Sequence, residues 1–304
     1  MIPYLDVPIE PRQLGATGLR VSPLAWGMWR FRGTGLEAAD RLVRTALETG
    51  LMLLDTADVY GLDNGEPFGA AEALLGRVLE GDPTLRGRMV LATKGGIVPG
   101  VPYDSSAASL VAACEASLRR LRTDHVDLYQ VHRPDTLAHP AEVAGAFEKL
   151  RRDGKILAAG VSNYRAAQIR ALRAYMDCPL ATIQPEFSAL AIDALDDGVL
   201  DLAQEHALCV LAWSPLGGGR LGGVGVSKRS CDVIAALDSV AERQGVSRSA
   251  VAYAWVMAHP ARPIPIVGSQ TAARISAAAQ ALAVKMTRQE WYAVLTASRQ
   301  EALP

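Results

Sequence analysis

Leu51-Met-Leu-Leu-Asp55-Thr-Ala-Asp-Val-Tyr60 is an apolar run that ends on a carboxylate and, five positions later, a phenol. A run that stays apolar without alternating reads as a strand buried on both faces, the condition of a parallel sheet. The same pattern recurs in Met89-Val-Leu-Ala-Thr-Lys94, which ends on an amine, and in Val126-Asp-Leu-Tyr-Gln-Val-His132, which ends on an imidazole. Three consecutive strands thus deliver Asp55, Tyr60, Lys94 and His132 to the same end of a sheet. Taken singly, the Asp reads as a loop cap, the Tyr as a surface aromatic and the His as a structural residue. An acid, a cation that tunes it and an imidazole that aims a carbonyl are together the parts needed to protonate an alkoxide as it forms.

Working outward, strands are expected at 24–28, 51–55, 89–93, 126–131, 156–161, 181–184, 207–213 and 264–267. Helical patterns lie between them. Segment 37–49 stops at Gly50 and segment 141–153 at Gly154, the residue favoured just past a helix end. Segment 105–121 opens on Ser105 as N-cap. Two helices, 232–244 and 247–258, separate the last two strands. A tail helix, 287–301, opens with the capping box Thr287-x-x-Glu290. Ahead of everything, Gln13-Leu-Gly-Ala-Thr-Gly-Leu-Arg-Val-Ser22 reads as a small hairpin. An open doubly wound sheet shows the same alternation. The count of eight β-then-α units, with no linker or charge run between them, favours one closed (β/α)₈ TIM barrel. It would span residues 1–304 as a single domain, with an N-terminal β-hairpin and a C-terminal helix. Function then belongs to the loops after the strand C-termini.

The 31 basic and 32 acidic residues leave a net charge of −1. Without a basic stripe, nucleic acid is not an expected partner. Cys114, Cys178, Cys209 and Cys231 form no C-x-x-C pair and suit free thiols in a reducing cytoplasm. The N-terminal Met-Ile-Pro-Tyr-Leu-Asp-Val-Pro does not read as a signal peptide, and no stretch nears the roughly 20 apolar residues of a membrane span. A cytoplasmic protein is expected. His125, His132 and His139 recur every seven residues but run from strand to loop to helix, so no metal site is expected. Gly217-Gly-Gly-Arg-Leu-Gly222 formally satisfies the dinucleotide fingerprint. It follows the wrong strand and opens no helix, so it reads as a mobile glycine loop, one suited to closing over bound cofactor.

The fragments as a set resemble the aldo-keto reductase superfamily, in its bacterial oxidoreductase-type branch. Asp-Thr-Ala-x-x-Tyr-Gly, Thr-Lys, His-x-x-Asp (His132 to Asp135), Gly-Val-Ser-Asn and Ser-Pro-Leu occur in the family's order from Leu14 to about Ala281. The resemblance implies NADPH-dependent reduction of an aldehyde or ketone, with Tyr60 as general acid. Lys94 would lower the phenol's pKa, Asp55 would hold Lys94, and His132 would orient the carbonyl. It implies nicotinamide carboxamide contacts from Ser162, Asn163 and Gln184, and stacking from Trp213. Gly27, Met28 and Asp55, and Ser214, Pro215, Leu216, Gly218 and Arg220 after the seventh strand, would line the cofactor. Gly268, Ser269 and Arg274 would receive the adenosine 2′-phosphate. The Glu-Asn that often contacts adenine in the family is replaced here by Ala277 and Ala278. Trp29, with Tyr60 and His132, would face the substrate. The same superfamily includes channel-associated β-subunits, so a cofactor-sensing regulatory subunit is the alternative. Neither the oligomeric state nor the particular carbonyl compound is legible.

Overall fold

The structure, a computed structural model, describes residues 3–31 and 35–301. Eight parallel strands close into a barrel: β1 Ala25–Gly27, β2 Leu53–Asp55, β3 Val90–Gly95, β4 Val126–Val131, β5 Ile156–Ser162, β6 Leu180–Gln184, β7 Cys209–Ala212 and β8 Ile264–Val267. Each pairs with its neighbour in sequence, and β8 returns to β1 through Ile266 opposite Ala25. Around them lie α1 Leu36–Glu48, α2 Ala70–Gly81, α3 Ala107–Leu121, α4 Pro140–Arg152, α5 Ala166–Arg173 and α6 Val199–Glu205. They are followed by α7 Lys228–Gln244, α8 Arg248–Met257, α9 Ala272–Ala277 and α10 Arg288–Arg299.

Two hydrophobic layers follow from the alternation of side chains along each strand. Leu53, Val90, Ala92, Leu128 and Leu211 fill the barrel interior. Leu54, Leu91, Tyr129 and Val210 face the helices. The hairpin, Arg12–Gln13 paired with Arg20–Val21, sends Leu14 and Val21 into the interior layer and floors the N-terminal end of the barrel. Gly15 in its turn has φ +58, and a Cβ there would lie 2.5 Å from the Ala181 carbonyl, so the close approach requires glycine. With that end closed, the opposite end holds the site.

Some boundaries shift for local reasons. The N-cap of α3 is Ser106, which accepts from the Ser109 amide, while Ser105 is buried with its own amide on Asp135. Helix α7 starts four residues ahead of the sequence reading because Ser227 and Ser230 cap one another. Strand β7 is shorter at both ends, Ala207 sitting in a left-handed turn at φ 52. The Thr287–Glu290 capping box is present. Helix α10 is held to α8 by Trp255 and Trp291, stacked at 5.0 Å with each indole N–H donating to the other's carbonyl over 3.0 Å. Among the described residues no helix is long and apolar enough to cross a membrane.

Candidate active site

Asp55 is the hub of a buried polar layer inside the barrel's C-terminal end. Lys94 reaches it from β3 with Nζ 2.6 Å from Oδ2. Gln184, from β6, donates to Oδ1 over 3.0 Å, and Gln130, from β4, over 3.3 Å. Gln130 in turn accepts from Thr182. Asp55 is 2% exposed and Lys94 0%, so each charge depends on its partners for the solvation it has lost. The ammonium has three acceptors: Asp55, the Thr56 carbonyl at 2.9 Å and the Tyr60 hydroxyl oxygen at 3.1 Å. An ammonium only donates. The phenol proton of Tyr60 is therefore turned away from Lys94 and available to another acceptor.

Burial works against the Lys94 ammonium, but Asp55 and Tyr60 outweigh it and hold the amine above its ordinary value. Tyr60 goes the other way from the sequence expectation. Burial pushes its hydroxyl above 10 and Asp55 adds to the rise, while Lys94 pulls down without prevailing. The phenol thus stays protonated across the physiological range, as a proton donor requires.

His132 meets Tyr60 edge-on, ring centroids 5.8 Å apart. Burial, aided by Lys94 and Arg133, drives the imidazole well below its ordinary value, so the ring is neutral. Its Nδ1 is buried without a partner. A proton on that nitrogen would be an unmet donor, which favours the Nε2–H tautomer. The other two evenly spaced histidines stand apart: His125 pairs with Asp124 and His139 caps α4.

Around this centre the expected cofactor residues form a connected wall. Asn163, at φ 61, donates to the His132 carbonyl and to Ser162 Oγ, and accepts from the Trp213 indole at 3.0 Å. Ser162 hydrogen-bonds the Gln184 carbonyl. Gly27 lies opposite Asp55 in the sheet, and Met28 donates its amide to the Asp55 carbonyl. The Met28 side chain is buried in the core between barrel and helices, so only its backbone is at hand for a ligand. After β7, Ser214 adopts φ 50, Pro215 is buried, Leu216 packs on the core and Arg220 bonds the Gly217 carbonyl. Gly218 and Gly219, at φ 71 and 97, leave open space where a Cβ would stand.

The strand-eight corner is separate. The Ser269 carbonyl takes the Trp26 indole, Gln270 donates to the Gly27 carbonyl, and the Gln270 Oε1 is buried without a partner. Gly268 has open space beside it, and Arg274 is exposed without an ion pair among the described residues. An open backbone and a free guanidinium suit a phosphate, while the orphaned acceptor would need a donor such as a ribose hydroxyl or the adenine amino group. Trp29 is 42% exposed and pinned by Asp63 and Asn64.

A model of the aldo/keto reductase family matches residues 23–298. The chain belongs to the aldo/keto reductase family. It is 54% identical to a 6-dehydroglucose reductase of Novosphingobium aromaticivorans, over 98% of this chain and 99% of that protein. It is 38% identical to a 6-dehydroglucose reductase of Agrobacterium fabrum, over 91% and 94%. Among solved structures it resembles a glycerol dehydrogenase of Gluconobacter oxydans, with TM-score 0.82 and 28% identity, over 99% of this chain and 97% of that one. Aldo/keto reductases are oxidoreductases that generally use a nicotinamide cofactor, and this chain is an enzyme of that kind.

Gln130 and Asp58 escaped the sequence reading. Gln130 turns its amide inward to Asp55 and Thr182, and its signal was a polar residue inside an otherwise largely apolar run. Asp58 is 2% exposed, its Oδ1 has no partner, and burial together with nearby Glu72 pushes its carboxyl up to about 8.

Proposed function

We propose that this single-domain enzyme reduces the aldehyde of an oxidised sugar to the alcohol, with NADPH as cofactor and Tyr60 as general acid. The observation that carries the reading is the Tyr60–Lys94–Asp55 chain, with a phenol proton left over for a ligand. The relative at 54% identity, a 6-dehydroglucose reductase, supports a sugar aldehyde as substrate class.

When bound, the reduced nicotinamide supplies the hydride. The chain's own residues do the rest. Neutral His132 donates Nε2–H to the carbonyl oxygen and fixes its position. Tyr60 releases its proton to that oxygen as negative charge develops there. The buried ammonium stabilises the phenolate that remains, and Asp55 keeps the ammonium in place. Lys94 and Arg133 keep the site's potential positive, which favours an oxyanion and disfavours a protonated imidazole. Gln184, Ser162 and Asn163 would hold the carboxamide, with Trp213 against the ring. Gly27, Ser214, Leu216, Gly218 and Arg220 would line the rest of the cofactor, and Ser269 and Arg274 the 2′-phosphate. The glycine-rich turn after β7 is suited to closing over it.

Purified protein offered NADPH with a panel of sugar aldehydes, 6-dehydroglucose among them, and simple aldehydes should oxidise NADPH fastest with the sugar aldehyde. Turnover of simple aldehydes alone would contradict the substrate class. NADPH binding with no turnover of any panel member would favour a cofactor sensor instead.

A further inference from the structure

Beside the catalytic pocket runs a groove of about 400 Å³ whose walls include Tyr103, Arg133, Thr136, Asn163, Arg165 and Gln168. It shares Asn163 with the site and adjoins His132 through Arg133. Its chemistry is one-sided. Two guanidinium groups line it, and no carboxylate does. Neither arginine forms a salt bridge among the described residues. Arg133 is half-buried, 5.9 Å from the centre of the Trp213 ring. Two acids act on them through space alone, Glu186 on Arg133 and Asp197 on Arg165. Asp135, two residues after Arg133, spends its carboxylate on the amides of Ser105 and Leu137.

Two further features add donors. Gln168 accepts the Arg165 amide through Oε1, so what it has left to offer is its N–H pair. Helix α5 begins at Ala166 on the groove's edge, with Gln168 accepting the N-cap amide but no N-cap side-chain acceptor for the amides that follow, which leaves the positive end of its dipole facing the same space. Tyr103 and Thr136 bring hydroxyls. A wall of donors with no carboxylate in its lining is matched by an anion with several acceptor oxygens, and an arginine pairs with a carboxylate through two parallel bonds.

We propose that this groove is an anion subsite that receives a carboxylate carried by the aldehyde substrate away from its reacting carbon. Of two aldehydes of the same shape, the one carrying a carboxylate would then be favoured, while a neutral sugar aldehyde would react without this contact. The inference rests on the reductase reading, since the groove lies beside the group that would protonate the substrate. Because the contact exists before and during reaction alike, it should act on KM more than on kcat.

The probes are 4-formylbenzoate and its neutral counterpart 4-formylbenzamide, with NADPH. The wild type should show kcat/KM about 10-fold higher for the carboxylate, the low end for charge-assisted pairs open to water. In the double variant Arg133→Gln, Arg165→Gln that ratio should fall close to one through KM, with the amide serving as reference within each protein. Arg165→Lys should retain part of the preference. Inorganic phosphate should compete with the carboxylate substrate more strongly than with the amide. Equal kcat/KM for the two aldehydes in the wild type, or a ratio unchanged in the double variant, would overturn the subsite while leaving the reductase reading intact. Phosphate that affects both aldehydes alike, with no charge preference, would mean a free-anion site and overturn it too. If neither aldehyde turns over, calorimetric binding of 4-carbamoylbenzoate decides: binding lost in the double variant supports the groove although the reductase reading fails, and absence of binding overturns both.

Discussion

Gln184 donates its side-chain amide to Asp55 over 3.0 Å, joining the sixth strand of the barrel to the second. The residue expected to meet the cofactor is thereby also a support of the carboxylate that holds Lys94. Hydrogen bonds to a charged group contribute about 1.5–3 kcal/mol, and a buried acceptor left unmet costs a comparable amount. Gln184→Ala should lower unfolding stability by about 2 kcal/mol and kcat by roughly tenfold, while Gln184→Glu, which sets a second carboxyl against Asp55, should be worse on both counts. Urea denaturation and steady-state kinetics of the two variants check this. An Ala variant with unchanged stability and kcat would show that the contact is incidental.

Asp58 gives a pH signature. Its carboxyl, ordinarily near 3.8, is pushed up to about 8 by burial first and by Glu72 second, with Arg120 and Lys94 opposing. Between those two values the folded chain holds a proton that the unfolded chain has released, so stability falls as pH rises through this window and stays reduced above it. A tenfold difference in acidity between the folded and unfolded chains corresponds to about 1.4 kcal/mol, and relaxation around the charged carboxylate reduces the total. Asp58→Asn removes the titration. Relative to wild type it should be close to neutral at pH 4 and more stable at pH 9 by about 2 kcal/mol, a rise of roughly 5 °C in Tm. Thermal melts across this range would disagree if the difference between the two proteins did not grow with pH.

Arg274 should set the cofactor preference. Exposed and without an ion pair among the described residues, it lies on α9 five residues after Ser269, in a helix whose end, Ala277 and Ala278, would offer adenine no polar side-chain contact. Losing a bidentate, charge-assisted contact to phosphate costs on the order of 1.5–3 kcal/mol, or roughly 10- to 150-fold. Arg274→Ala should weaken NADPH by about that factor and NADH little, as read by fluorescence titration of both. An equal loss for both cofactors would make Arg274 structural, and tighter NADH than NADPH binding in the wild type would contradict the choice of cofactor.

What could be read from the residues was what is local. The runs ending on Asp55, Lys94 and His132 marked strands and their polar ends, and Gly50, Gly154 and Thr287 marked helix limits that the structure keeps to within a residue or two. What depends on distance across the barrel was not legible. Gln130 and Gln184 lie 75 and 129 positions from Asp55, and no spacing rule joins them. The direction in which the Tyr60 hydroxyl moves also escaped, because the sequence names the cation beside the phenol but not the burial that outweighs it. The hairpin was readable as a hairpin. That Leu14 and Val21 floor the barrel, at the end opposite the one already assigned to the site, required the closed sheet.

The central claim is that Tyr60 is the proton donor, and Tyr60→Phe tests it most directly. The substitution removes one oxygen, 3.1 Å from the Lys94 ammonium, and leaves the ring that meets His132. With the best aldehyde at saturation, kcat for the variant should fall roughly 10²- to 10⁴-fold, the usual loss when a positioned general acid is removed. NADPH affinity, measured in the same samples by fluorescence titration, should stay within a few-fold of wild type. A variant that kept more than about a tenth of wild-type kcat would show that another group delivers the proton.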